Sequence, residues 1–243
     1  MAATDVPVFI LAGGKGERLA GATGLPKPLV PVGGRPFLGY LLDALARAGA
    51  KRVGLLTGYR SEIFPDALAG ELALHPSLEV LFLPEDRPLG TGGALHRIRP
   101  FVERRALVLN GDSYCSLDLR TFLDFQTEHA EELALAAVRV ADARDYGRLR
   151  IAEDGRLNGF EEKGAAGEAW VNAGIYAVPR VFLEEAVHEG PASLEREILP
   201  AWVACRPVWA WRTEAWFCDI GTPERWERAC RELPAAARAA HSA

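Results

Sequence analysis

The feature that most constrains this chain lies near its start. An apolar run, Val6-Pro7-Val8-Phe9-Ile10-Leu11, leads into Ala12-Gly13-Gly14-Lys15-Gly16-Glu17-Arg18-Leu19, and Leu25-Pro26-Lys27-Pro28-Leu29 closes the segment. The apolar run reads as a short buried strand. A loop poor in β-carbons lets backbone N–H groups converge on an anion, and glycine tolerates the backbone angles such a curl needs. Arg18 and Lys27 add two full positive charges. This chemistry suits phosphate at the end of a strand. A glycine-rich turn that merely connects strand to helix is the competing reading, because such loops also serve as plain connectors. It leaves the two cations without a purpose. The spacing also excludes two common cradles. Leu19 stands where G-x-G-x-x-G needs its third glycine, and no G-x-x-x-x-G-K-[ST] is present.

With 243 residues, 49% of them hydrophobic, the chain can bury a full core in one large α/β domain or two small ones. Its net charge of −5 and the lack of a basic stripe argue against nucleic acid and against an anionic membrane surface. No apolar run approaches the roughly 20 residues a bilayer span requires. The first residues, Met1-Ala2-Ala3-Thr4-Asp5, show no secretory leader. Cys115, Cys205, Cys218 and Cys230 form no C-x-x-C pair, which points to reduced thiols and a cytoplasmic protein. The histidines, His75, His96 and His129 among them, read as surface or structural residues.

Taken in order, the periodicity predicts a strand over Val6–Leu11 and a helix from Pro36 that stops near Gly49. A strand over Arg52–Thr57, a short helix over Glu62–Leu68 and a strand over Leu78–Leu83 follow. That β-α-β-α-β order predicts an α/β fold, Rossmann-like, with a mostly parallel mixed sheet and helices on both faces. A second glycine-rich loop, Pro88-Leu89-Gly90-Thr91-Gly92-Gly93, precedes a helix at Ala94–Ile98. Ligands of open α/β sheets sit at the carboxyl ends of strands, so both loops should face one crevice. The strand Ala106–Leu109 delivers Asn110-Gly111-Asp112. A strand-end aspartate is costly to leave without a cation or donor; a turn or helix cap is its other explanation. A helix at Leu119–His129 and a strand at Leu133–Val140 come next. The strands Gly147–Ala152, Leu157–Phe160 and Val171–Val178 then predict a small antiparallel extension. Helices are expected at Pro179–Val187 and Leu194–Ala204, and a strand at Val208–Arg212. In Asp219-Ile220-Gly221-Thr222-Pro223-Glu224, Pro223 should open the last helix, with Thr222 as its cap. The tryptophans suit the core or an interface, which leaves a homo-oligomer possible.

Together these segments resemble the sugar-phosphate nucleotidyltransferases, whose fold is glycosyltransferase-A-like. The matching motifs are L-A-G-G-x-G-x-R-L at Leu11–Leu19, P-K-P-L-x-P-V at Pro26–Val32, P-L-G-T-G-G-A at Pro88–Ala94 and L-N-G-D-S at Leu109–Ser113. They continue with F-E-E-K at Phe160–Lys163 and N-A-G-I-Y at Asn172–Tyr176. The resemblance implies one nucleotidyltransferase domain over 1–243: a nucleotide-binding half at about 6–140, a sugar-binding half at about 141–232 and a frayed tail over 234–243. It implies that Leu11, Ala12, Gly13, Gly14, Lys15, Gly16, Arg18, Glu85, Arg87, Gly90, Thr91 and Asp112 bind a nucleoside triphosphate. Lys27, Asn110, Tyr146, Gly147, Glu162, Lys163 and Asn172 would bind a sugar 1-phosphate. Arg18, Lys27 and Asp112 would be catalytic, and Asp112 with Asp219 would hold Mg²⁺. A sugar 1-phosphate is already anionic near neutral pH, so no general base is required.

Within that family the combination is most similar to the D-glycero-α-D-manno-heptose 1-phosphate guanylyltransferases, which implies GTP and that heptose phosphate. Glu85 is placed to accept from guanine N1 and N2. Relatives often carry an acid just before Pro88. Here it is Arg87, which could donate to guanine O6 and N7 or select another base. UTP with N-acetylmuramic acid 1-phosphate, and CTP or dTTP with hexose phosphates, stay open. A non-catalytic nucleotide-sugar-binding regulatory subunit would have lost one of Arg18, Lys27, Asp112 or Asp219; all are present.

Overall fold

The computed structural model describes residues 6–14, 16, 24–129, 132–161, 164 and 166–240. Lys15, Arg18, Glu162 and Lys163 lie outside these described residues. In chain order the strands and helices are β1 (Val8–Ala12), β2 (Pro31–Val32), β3 (Arg35–Pro36), α1 (Phe37–Arg47), β4 (Arg52–Thr57), α2 (Phe64–Leu74), β5 (Glu79–Pro84), α3 (Gly90–His96), β6 (Arg105–Asn110) and β7 (Ser113–Cys115). Then come α4 (Leu119–Thr127), β8 (Leu133–Val140), β9 (Arg148–Ile151), β10 (Leu157–Glu161), β11 (Ala169–Pro179), α5 (Arg180–Glu185), α6 (Leu199–Val203), β12 (Val208–Thr213), β13 (Phe217–Asp219) and α7 (Pro223–Ala239). They fall into two compact units. One holds the chain through Pro88 together with Leu109–Ser116 and Trp216–Ala243; the other holds Leu89–Val108 and Leu117–Ala215.

In the first unit β1, β4 and β5 are parallel and in step. Val8 pairs with Val53 and Ala12 with Thr57. Arg52 pairs with Glu79 and Thr57 with Pro84. The three strands therefore end level, which aligns the loops that leave them. All of β1 and all of β4 beyond Arg52 are buried, as parallel strands covered on both faces require. Gly54 makes room for its neighbour, since a Cβ there would lie 2.5 Å from the Phe9 ring. The apolar face of α1 buries Phe37, Leu38, Leu41, Leu42 and Leu45, each contributing about 1.5–3 kcal/mol. Gly49, at φ 87°, terminates it as its spacing predicts.

Three boundaries differ from expectation in this unit. Helix α2 extends to Leu74, well past Leu68. Its apolar residues do not share one face, Leu74 being 66% exposed, so periodicity understates it. A short antiparallel ribbon joins β7 to β13, and no pattern in three-residue strands announces it. Finally, α7 continues through Pro234 to Ala239 instead of fraying. Ala229, Leu233 and Ala237 are buried along it. The Pro234 ring occupies space that Gly33, at φ 59°, leaves open; a Cβ on Gly33 would come within 2.7 Å of Pro234 Cγ.

The second unit carries the mixed, partly antiparallel sheet that the sequence predicts. Strand β11 runs antiparallel to β8, with Ala169 opposite Val140 and Ala177 opposite Ala134. Strand β12 runs parallel to the other edge of β8. Strands β9 and β10 form an antiparallel pair, and β9 also meets β11. Tyr176, Phe122 and Phe182 are fully buried in this unit. Among the described residues no helix is long and apolar enough to cross a membrane.

Candidate active site

The first unit assembles its site from strand ends. Where β1 stops, the Gly13 carbonyl accepts the Tyr59 N–H at 3.2 Å, and the Glu85 N–H donates to Thr57 O at 2.7 Å. Gly13 and Gly58 cross so closely that a Cβ on Gly58 would lie 2.7 Å from the Gly13 oxygen. The Glu85 carboxylate lies against Gly13, 3.3 Å from where its Cβ would be. Gly14 is exposed, and a side chain there would meet nothing within 4 Å. Gly16, at φ 60°, packs on Lys27: a Cβ would sit 2.7 Å from Lys27 Cβ. Gly16 thus makes room for the stem of a cation.

Lys27 opens a 3-10 turn whose Pro28 and Leu29 are buried, so its backbone is anchored. Its ammonium is ion-paired with Asp112 Oδ2. Asp112 reaches that position through Asn110-Gly111. The Gly111 N–H donates to Leu11 O at 2.9 Å, and a Cβ on Gly111 would lie 2.7 Å from the same oxygen. Only glycine allows this approach of β6 to β1, and the turn it permits presents Asp112.

The β7–β13 ribbon brings Asp219 to Asp112. Asp219 pairs with Ser113, and the Ile220 N–H donates to Asp112 O at 3.0 Å. Residues 107 positions apart (219 − 112) become backbone neighbours. Asp219 is itself tightly held. Its Oδ1 accepts the Gly221 N–H at 2.7 Å, and its Oδ2 accepts from Arg225 Nη1 at 2.8 Å. A Cβ on Gly221 would lie 2.6 Å from Asp219 Oδ1, so a side chain there would push the carboxylate aside. Arg225 comes from the first turn of α7, where Thr222 caps the helix by accepting the Arg225 N–H at 3.4 Å. Sequence reasoning finds Asp219 and Thr222 but not Arg225, which looks like any helix-surface arginine.

Asp112, in the turn just before β7, and Asp219, at the end of β13, supply hard oxygen donors, each beside a cation. Magnesium is usually held by one or two carboxylates plus substrate phosphates and waters. The pair fits that pattern. Among the described residues no group of three or more His, Cys, Asp and Glu side chains could hold a metal without such help.

The second unit carries the other predicted residues. Helix α3 begins at Gly90, so the glycines expected in a loop before Ala94 are its first turn. Their repetition has a packing cause. Gly90 is at φ 68° with its Cβ position 2.5 Å from Ala192 O, and Gly92 and Gly93 press on Ile198 and on Gly190 O. The Gly92 N–H donates to Ala192 O, and the Ala192 N–H to Leu89 O, both at 2.9 Å. Tyr146 closes a turn onto Ala143 O at 2.9 Å, and Gly147 leads into β9. Glu161, the end of β10, pairs with Arg148. Glu162 and Lys163 follow it, outside the described residues. Asn172 opens a bulge in β11, where the register to β8 jumps between Asn172 and Tyr176. Its Oδ1 accepts the Gly174 N–H at 2.9 Å, Gly174 sits at φ 75°, and its Nδ2 donates to the Tyr176 hydroxyl at 2.8 Å. The N-A-G-I-Y motif is therefore the sequence of a bulge, a device common beside active sites. Arg87 is exposed in the first unit, and Asn110 ends β6.

The nucleotidyl transferase family model matches residues 8–235 of this chain. A mannose-1-phosphate guanylyltransferase of Mycobacterium tuberculosis is 34% identical over 239 residues, covering 96% of this chain and 66% of that protein. A D-glycero-α-D-manno-heptose 1-phosphate guanylyltransferase of Aneurinibacillus thermoaerophilus is 30% identical over 227 residues, covering 93% of this chain and 97% of that protein. The chain thus spans just under two thirds of the first relative and nearly all of the second. The crystal structure of HddC from Yersinia pseudotuberculosis complexed with GMP-PN superposes with a TM-score of 0.83 at 34% identity, covering 94% of this chain and 99% of that one.

Proposed function

The chain belongs to the nucleotidyl transferase family, and from that premise we propose that it joins GTP to D-glycero-α-D-manno-heptose 1-phosphate, giving a nucleotide-sugar and pyrophosphate. The observation that carries this reading is the Lys27–Asp112 pair with Asp219 brought beside it by the β7–β13 ribbon. Similarity along nearly the whole length of a heptose phosphate guanylyltransferase supports the substrate pair.

An oxygen of the sugar phosphate attacks the α-phosphorus of GTP. The bond to the β-phosphate oxygen breaks, and pyrophosphate leaves with the electron pair. Little covalent work falls to the protein, so positioning and charge decide the rate. Gly13, Gly14 and Gly16, with Leu11, Ala12, Lys15 and Arg18, cradle the triphosphate. Arg18 clamps the departing pyrophosphate, for which a planar fork suits better than an ammonium. Lys27 leaves Asp112 for the incoming phosphate and offsets anion–anion repulsion. Asp112 and Asp219 would hold Mg²⁺ together with the substrate, and the bound ion would supply charge neutralisation and polarisation of the phosphate. Glu85 and Arg87 read the base, and Gly90 and Thr91 bind the nucleotide. Asn110, Tyr146, Gly147, Glu162, Lys163 and Asn172 hold the sugar phosphate. Within a single nucleotidyltransferase domain, about 6–140 serves the nucleotide and about 141–232 the sugar. All cysteines are free thiols, in keeping with a reducing cytoplasm.

Mannose 1-phosphate is the second reading, favoured by the 34% identity to a mannose-1-phosphate guanylyltransferase. The two acceptors share a manno ring and differ at the exocyclic carbon. Pyrophosphate release with Mg²⁺ across GTP, UTP, CTP, dTTP and ATP, each against heptose, mannose, glucose and amino-sugar 1-phosphates, separates them. Fastest release with GTP and the heptose phosphate is expected. Preference for another pair replaces the specificity, and no release with any pair overturns the catalytic reading.

A further inference from the structure

Segment Leu194–Ile198 is a π-helical turn, a rare conformation that often marks functional positions. It projects Glu195 between two elements of the second unit. Glu195 Oε2 accepts from the Thr91 hydroxyl, and Oε1 from the Tyr176 hydroxyl, each at 3.3 Å. Both hydroxyls are oriented from behind. The Thr91 oxygen accepts the Leu194 N–H at 2.9 Å, and the Tyr176 oxygen accepts from Asn172 Nδ2 at 2.8 Å. Because Asn172 Oδ1 is taken by the Gly174 N–H, the donor sense of this chain is fixed: amide to phenol to carboxylate. Tyr176 is fully buried, and Gly90, Gly92 and Gly93 hold the α3 turn hard against 190–198. One carboxylate therefore registers Thr91 and, through a buried phenol, the Asn172 amide.

We propose that Glu195 is a positioning residue that couples nucleotide binding at the Gly90–Thr91 turn to sugar-phosphate binding at Asn172. The inference rests on the roles assigned to Thr91 and Asn172 under the proposed function. When the nucleotide settles on Thr91, the hydroxyl is held on Glu195; Glu195 then holds Tyr176, and the Asn172 amide presents its second N–H in a fixed direction. Sites linked in this way affect each other reciprocally.

The test measures the dissociation constant of the sugar phosphate that supports turnover, with and without a saturating non-hydrolysable GTP analogue. On the full chain the analogue is expected to tighten sugar-phosphate binding by about 5–50-fold, inside the usual range of couplings. Glu195→Ala should reduce that factor to under about 2-fold and raise KM for the sugar phosphate more than it lowers kcat. Glu195→Gln, which keeps an acceptor for Tyr176, should restore most of the coupling. Tyr176→Phe, which cuts the arm to Asn172 and leaves Thr91 on Glu195, should lose it as Glu195→Ala does, and it serves where Glu195→Ala does not fold. Wild-type turnover with no coupling, or coupling unchanged in Glu195→Ala or Tyr176→Phe, overturns the inference alone. No wild-type turnover with any substrate pair overturns the functional reading and this inference with it.

Discussion

Asp219 has Gly221 N–H on one carboxylate oxygen and Arg225 on the other, with both side chains largely buried. Such outer partners aim a ligand, and their loss typically costs about 10–100-fold in metal affinity or activity. Arg225→Ala is therefore expected to lower turnover by about that factor and to raise the Mg²⁺ concentration for half-maximal rate; a Mg²⁺ titration of pyrophosphate release reads both. Asp112→Asn acts more directly. It keeps the shape and an acceptor for Lys27 but removes the charge that would face the metal, so turnover should fall by about 10²–10³-fold. The thermal midpoint should move by only a few degrees, and near-normal turnover would remove Asp112 from the metal site. The two aspartates are legible in the sequence because G-D and D-I-G-T-P are family segments. Arg225 and Glu195 are not. An arginine in a first helical turn has many ordinary uses, and L-E-R-E-I reads as a plain α-helix until the π turn rotates Glu195 inward.

At the scale of elements, alternation and helical spacing recover the long pieces. The strands Arg52–Thr57 and Leu133–Val140 have the predicted bounds. What periodicity misses is short or glycine-rich. Strands β7 and β13 have three residues each, too few to show alternation, although they bring Asp219 next to Asp112. The run Gly90-Thr91-Gly92-Gly93 reads as loop because glycine weakens helices, yet it forms the start of α3 since the neighbouring segment leaves no room for side chains. A contrast between two glycines tests that explanation. Gly93→Ala would drive a Cβ into the Gly190 carbonyl, backbone that cannot swing away. It should destabilise by about 1–3 kcal/mol, the usual cost of overpacking. Gly70 lies exposed inside α2 with nothing within 4 Å of its Cβ position. Gly70→Ala should instead stabilise by about 0.5–1 kcal/mol through helix propensity. Urea midpoints of the two variants should move in opposite directions, and a Gly93→Ala protein as stable as wild type would remove the packing account.

Over the whole molecule, acid is the condition that both units feel in the same window. In the first unit, burial pushes the Asp43 carboxyl up, but hydrogen bonds from Arg35 and His75 outweigh it and hold it below the usual carboxylate range. Arg35 also grips Glu71, so three elements, β3, α1 and α2, meet on one guanidinium. In the second unit, burial likewise pushes Asp118 up, and the Arg120 N–H with the Thr121 hydroxyl and N–H brings it below its ordinary value. Both carboxyls have folded values depressed relative to the unfolded chain. The sign follows: protons bind the unfolded state more readily, so the stability these groups contribute is fully present above about pH 4 and is lost as pH falls through their lower folded values. Unfolding free energy should thus change little from these groups between pH 7 and 4.5, then drop steeply below pH 4. Asp43→Asn isolates one share. At pH 7 it should cost about 1–3 kcal/mol, because Arg35 and His75 lose a charged acceptor in a half-buried cluster. Below the folded value wild-type Asp43 is itself protonated and the advantage disappears. The gap between the two urea-derived stabilities should therefore close as pH falls from 5 towards 2.5. A gap that stays constant would mean Asp43 contributes through shape rather than charge, and one that widens would reverse the sign of its linkage.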